Sequence, residues 1–178
     1  SVAIGNLALG SQNFTSATAS YNVAVGDAAG GAVTTGVNNT LIGGLAGDAL
    51  TTGSYNNAFG YASLSTATTG EQNAAFGRYS LNANTSGSEN TAVGNHALNS
   101  NTTASDNTAV GYFAGYKVTT ATGGVYLGRS SGQENLTGNN NTFVGYAAGD
   151  KTVSASNTFL GYSSGWQVTS GAKNTFVG

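Results

Sequence analysis

The sequence predicts an all-β fold, a parallel β-solenoid (β-roll or β-helix) of eleven coils of about 17 residues, packed against further copies of itself. Three observations predict it. "NTAVGYFAGY" at Asn107 recurs as "NTFVGYAAGD" at Asn141 and "NTFLGYSSGW" at Asn157. The glycines closing each such motif are Gly5, Gly26, Gly43, Gly60, Gly77, Gly94, Gly111, Gly128, Gly145, Gly161 and Gly178; after a first interval of 21 they are spaced by 17, with a single 16 before Gly161. The composition is rich in Gly, Thr, Ser and Asn, lacks Pro, Cys and Met, and is only 7% charged, which disfavours helix and suits strands and turns. A fixed period over the whole chain means one repeat array, residues 1–178, with no separate domain.

The columns of the repeat follow in order. Immediately before the glycine stand Ile4, Val25, Ile42, Phe59, Phe76, Val93, Val110, Leu127, Val144, Leu160 and Val177, all large and apolar, and this column is expected to be the interior core. Two before it stand Ala3, Ala24, Leu41, Ala58, Ala75, Ala92, Ala109, Tyr126, Phe143, Phe159 and Phe176. Neighbouring strand residues face opposite sides, so a strand apolar at both positions is covered on both sides. The Ala/Phe column is therefore expected to pack between chains.

Four before the glycine, Asn fills nine of eleven copies, with Ser1 and Gly124 the exceptions, and stacked Asn amides form ladders. The glycine itself points to a positive φ or a close backbone approach. Three after it the residue is always small, and the next is only Leu or Gly: Leu9, Gly30, Gly47, Leu64, Leu81, Leu98, Gly115, Gly132, Gly149 and Gly165. A second corner follows at Gly36, Gly53, Gly70, Gly87, Ala104, Ala121, Gly138, Ala155 and Gly171, each preceded by Ser or Thr. Each coil is thus expected to hold two short strands and two tight corners. The shortened interval is expected to lose its residue just after the corner, between Ala155 and Asn157, and the longer first one carries its extra residues around Ser11 to Ser20.

"SVAIG", "NVAVG", "NTAVG" and "NTFVG" resemble the head repeats of trimeric autotransporter adhesins, the YadA-like family, and the "NTAVGY" style is similar to repeats of phage tail fibres. The resemblance covers the whole chain at the level of a short motif. The adhesin repeat is a few residues shorter and its corners less rich in Thr-Thr-Gly. The resemblance implies a homotrimeric, extracellular, surface-attached rod, on a cell or a virion, that contacts a cell-surface glycan or protein receptor. The chain opens and closes in mid-pattern and reads as a segment of a longer fibre protein.

Chemistry is sparse. The five Lys/Arg do not cluster, so no nucleic-acid partner is expected, and no stretch of about 18 apolar residues offers a membrane span. His96 has no second histidine to share a metal and is expected on the surface. The acids form no recurrent carboxylate pair; Glu89 and Asp106 share a corner one coil apart and read as solvated surface. No enzyme, cofactor or metal site is expected. Asn-x-Ser/Thr sequons occur at Asn13, Asn38, Asn84, Asn101, Asn135 and Asn140. Two features suggest binding. Tyr61, Tyr112, Tyr146 and Tyr162 follow the anchor glycine and are candidate glycan contacts, although capping of an interchain groove explains them more simply. The corner pairs Thr34-Thr35, Thr51-Thr52, Thr68-Thr69, Thr102-Thr103 and Thr119-Thr120 form a line that would suit ice binding, although a turn role explains them more simply. The leading reading is a fibre rod or head that spaces and presents a binding surface. The alternatives are an ice-binding solenoid and a tailspike that binds or degrades glycans.

Overall fold

The structure, a computed structural model, describes residues 1–13 and 19–178. The extra residues of the first interval therefore lie partly outside the described residues.

The fold is the predicted parallel β-solenoid of about ten turns. Each coil contributes one strand of three residues: β1 Val2–Ile4, β2 Val23–Val25, β3 Thr40–Ile42, β4 Asn57–Phe59, β5 Ala74–Phe76, β6 Thr91–Val93, β7 Thr108–Val110, β8 Val125–Leu127, β9 Thr142–Val144, β10 Thr158–Leu160 and β11 Thr175–Val177. They form one eleven-stranded parallel sheet in sequence order, each column residue beside its counterpart in the next coil, as Phe59 beside Phe76.

The expected second strand is a run of turns. In the coil after Gly60, Ser63 N donates to the Gly60 carbonyl and Ala67 N to the Leu64 carbonyl. The residues two and four after the anchor are left-handed, as at Ala62 (φ 52°) and Leu64 (φ 55°). Ala62 is the third residue of the Gly60–Ser63 turn, where that sign is the mark of type II, and Leu64 opens the turn that follows. Between turns the backbone bonds to the coils on either side, as Leu64 N to Ser80 O at 3.0 Å and Ala62 N to Gly44 O at 2.9 Å. The anchor glycine satisfies both expectations: Gly26 has φ 135°, and a Cβ there would stand 2.6 Å from the Gly43 carbonyl carbon.

The two strand columns exchange the roles expected of them. Ala24, Leu41, Ala58, Ala75, Ala92, Ala109, Tyr126, Phe143 and Phe159 are fully buried inside the coil of a single chain. Ile4, Phe76, Val93, Val110, Leu160 and Val177 are exposed, and Val25, Ile42, Phe59, Leu127 and Val144 are half-buried, all on the outer face of the sheet. At the open ends Ala3 and Phe176 are exposed as well. The reason is volume. The inner strand position shares a narrow lumen with the Leu/Gly column. Ala58, Ala75 and Ala92 pair with Leu64, Leu81 and Leu98 of their own coils, whereas Leu41, Tyr126, Phe143 and Phe159 pair with Gly47, Gly132, Gly149 and Gly165. A Cβ on Gly149 would stand 2.6 Å from the Phe143 ring. Where both positions are small, neighbouring coils fill the space: a Cβ on Gly115 would meet Leu98 at 2.9 Å and Tyr126 at 3.0 Å.

The Asn column forms the expected ladder, deep inside. Asn73 is 1% exposed; its Nδ2 donates across the coil to the Gly87 carbonyl at 2.9 Å, and its Oδ1 accepts from the Asn90 backbone N–H at 3.1 Å. Asn22, Asn39, Asn56, Asn90 and Asn107 repeat the cross-coil bond. At Gly124 the ladder lacks a side chain, and the Tyr126 hydroxyl takes the space, accepting from Asn135 Nδ2 at 2.8 Å. Burial pushes the ionisation of that hydroxyl up.

The corner pairs hold coils together. The hydroxyls of Thr34, Thr51, Thr68, Thr85, Thr102 and Thr119 each donate to the carbonyl of the same column one coil on, at 2.9–3.1 Å. The short interval is shortened here rather than after Ala155. Asn141 Nδ2 donates to the Ser154 carbonyl at 2.7 Å, so Ser154 occupies the corner, and one residue of the Thr-Thr type is missing before it. Asn84, Asn101 and Asn135 are fully buried, so these sequons are closed to glycosylation in the folded chain.

Replacing Asn73 by Ala leaves buried carbonyl and N–H groups unpaired and is expected to cost about 1–3 kcal/mol in a denaturant titration, against less than about 0.5 kcal/mol for Ala at the exposed Asn57. The lumen predicts a compensating pair. Ala58→Phe overpacks, Leu64→Gly opens a cavity, and the double variant recovers at least about 1 kcal/mol relative to the sum of the two.

Candidate functional site

The surface column groups with chemistry lie beyond the anchor glycine. The first residue after it points outward, the second is left-handed, and the fifth lies across a shallow channel from the first. In the middle coils the second column fills this channel with rings: Tyr79 and His96 lie 5.1 Å apart, His96 and Phe113 5.1 Å, and Tyr116 of the fifth column closes on Phe113 edge-on at 4.7 Å. Tyr79, His96 and Phe113 all sit at φ 57–59°. Non-glycine residues pay about 1–2 kcal/mol there. The shared conformation sets the rings in register, a contribution that packing returns.

His96 is thus half-buried within a stack instead of free on the surface. Its Nδ1 has no partner among the described residues. Burial, and then the Arg78 guanidinium, hold its pKa below the usual 6.5. The Arg78 Cζ lies 4.5 Å from the Tyr79 ring centroid, so charge and stack are adjacent.

The four candidate glycan-contact tyrosines do not form one stripe. Tyr61 meets Tyr79 edge-on at 5.6 Å, and Tyr112 packs on Phe113 at 4.2 Å. Tyr146 and Tyr162 are brought together, stacked at 5.2 Å with an 8° interplanar angle. Arg129 stands between Tyr112 and Tyr146, 5.7 and 5.4 Å from their centroids, and its Nη1 donates to Tyr146 Oη at 3.3 Å.

The chain matches no protein-family model, no curated protein and no solved structure.

Charged groups are dispersed. Lys117 Nζ pairs with Glu134 Oε1 at 2.9 Å across one coil step, a surface ion pair that raises the lysine pKa. Glu89 and Asp106 are both exposed at the corner, as the sequence suggested. Among the described residues no three His, Cys, Asp or Glu converge to hold a metal ion. Among the described residues no helix is long and apolar enough to cross a membrane. Sequence reasoning missed Trp166, Asp150 and Gln133, which line a recess of about 350 Å³ beside Tyr146 and Tyr162. The signal was available in the second column, where bulky residues give way to Ser130, Ala147 and Ser163.

The His96 stack carries a pH signature. Unfolded chains take up the imidazole proton near 6.5, whereas the folded chain takes it up only at lower pH. The unfolded state binds more protons in that window, so stability present above it falls as pH drops through it. Melting temperatures at pH 7.5 and about 5.5 are expected to differ more in the wild type than in His96→Phe, whose ring fits the column as Phe113 does; equal differences would clear the histidine.

Proposed function

We propose that the chain is the rod or head of an extracellular fibre, three copies packed about a common axis, whose work is to space and present a binding surface. One observation carries the reading. The sheet is apolar on both faces, and the lumen accommodates only one of them. The outer column runs the length of the rod with Phe76 at 39%, Val93 at 38%, Val110 at 40% and Leu160 at 47% exposed. Phe59 and Phe76 stack on it at 4.8 Å. A continuous apolar ridge of this kind favours burial against equivalent surfaces. The assembly column is therefore the one before the anchor glycine, with the inner Ala/Phe column assigned to the lumen. The extracellular placement and the threefold symmetry rest on the resemblance to adhesin head and tail-fibre repeats.

The corner threonines lend the ice-binding alternative little support, since the first hydroxyl of each pair is spent on a carbonyl of the next coil. The tailspike alternative needs carboxylates converging from different chains.

Sedimentation of the folded chain is expected to give three times 17.6 kDa. Val93→Asp with Val110→Asp should reduce that to one chain with little loss of β-structure, because both side chains lie outside the lumen. A wild-type monomer would overturn the assembly, and a thermal hysteresis assay would then decide whether the outer face meets ice.

A further inference from the structure

Tyr146 and Tyr162 open adjacent coils, each the residue after an anchor glycine. Their ring centroids lie 5.2 Å apart with an 8° angle between planes. Among the described residues they are the one pair of tyrosines stacked face to face; Tyr61 and Tyr79 meet edge-on at 81°. Both are open to solvent, at 43% and 75% exposure, so a reagent reaches the phenols without unfolding the coil. The parallel, in-register strands before them set the two side chains at equivalent points of one scaffold. Corresponding ring atoms, including the carbons ortho to each hydroxyl, therefore lie about as far apart as the centroids. Exposed side chains rotate within picoseconds to nanoseconds, which closes a gap of that size.

The surroundings favour chemistry at this pair. Arg129 Nη1 donates to Tyr146 Oη at 3.3 Å, which holds that ring in place and leaves the phenol's own proton free to depart. The chain has no cysteine or methionine to consume an oxidant first, so the phenols and Trp166 are its most oxidisable side chains. The joint that the pair spans is also irregular. The coil from Gly145 to Gly161 is the short one, and Val153 stands in it where the corner threonines donate a hydroxyl to the next coil. Ser154 Oγ, donating to the Gly171 carbonyl at 2.6 Å, is the hydroxyl that remains there.

We propose that Tyr146 and Tyr162 form an oxidative cross-linking site, joined by a carbon–carbon bond between ring positions ortho to their hydroxyls when the chain meets hydrogen peroxide and a haem peroxidase. Each phenol gives one electron to the oxidant and its O–H proton to water. The two phenoxyl radicals pair, forming the bond between the ortho carbons. Each of those carbons then loses its hydrogen as a proton, and a proton returns to each oxygen, restoring two phenols. Two electrons and two protons leave in all, and they reduce one hydrogen peroxide to two waters. The product is a dityrosine that ties coil to coil within one chain. It goes beyond the fibre reading and does not require it.

The folded chain in dilute solution is treated with a haem peroxidase and hydrogen peroxide, then unfolded and cut with trypsin. Cleavage after Arg129, Lys151 and Lys173 leaves Tyr146 in residues 130–151 and Tyr162 in residues 152–173. These two peptides are expected to be joined, lighter than their sum by two hydrogens, with a yield about ten times or more that of any other tyrosine pair. Tyr162→Phe, at an exposed ring, is expected to keep the fold and lose the product; Tyr55→Phe, many coils away, keeps both. Oxygen added to Trp166 with no joined peptides overturns the proposal. So does an equal yield from chain oxidised in urea, where no stack selects the pair, and so does a product that joins separate chains on a denaturing gel. The denatured mass reads the link whatever the native assembly, so a monomeric chain that forms it refutes the trimer and leaves the cross-link standing.

Discussion

The rest of this rod depends on the buried asparagine bridge that crosses most of its coils. A loop of 17 residues has two sides that would otherwise touch only through apolar side chains, which set no register. The Asn amide spans the gap, joining the start of the strand to the opposite corner, and its oxygen fixes the backbone of the next coil. Asn56 does all of this at once, donating to the Gly70 carbonyl at 2.8 Å and accepting from the Asn73 N–H at 3.0 Å. A buried amide is costly unless its hydrogen bonds are made. The ladder therefore selects one cross-section and one register, and the sheet, turns and threonine corners inherit both. Tyr126 supports this view, because its hydroxyl enters the space left by Gly124 and makes a bond to Asn135 there.

The period, the single array, the sheet and the Asn ladder were legible in the sequence because each is a property of one column read down the repeat. The assignment of inside and outside was not. Large apolar residues in every coil, as at Val25, Val93 and Val144, match a core, and a strand apolar on both sides implies a neighbour beyond it. The lumen obeys a different rule. It fills two columns jointly, with adjoining coils reaching in where both are small, so Ala58 with Leu64 and Phe143 with Gly149 are equivalent solutions. Comparison of pairs of columns would have shown it. The turn run was hidden for another reason: left-handed Leu64, Tyr79 and His96 contradict local preference, and only the fixed neighbouring coils impose it.

The candidate surface shows the same division. Four tyrosines share a sequence column, yet their surroundings differ because the next column over changes size. Where that column is Phe113, Tyr112 packs against it; where it is Ala147, Tyr146 stacks on Tyr162 beside an open recess. The scaffold is constant, and chemistry varies through substitutions that the backbone does not register.

The in-register sheet has a consequence for how such a molecule changes through time. Every joint between coils presents the same hydrogen-bonding edge as every other. A duplication or loss of 17 codons adds or removes one whole layer and leaves the joint on either side of the event as it was. Length can thus evolve in single steps of about 4.8 Å. The steps are restrained chiefly by whether the side chains newly brought together share the lumen as well as Leu98 and Tyr126 do across Gly115.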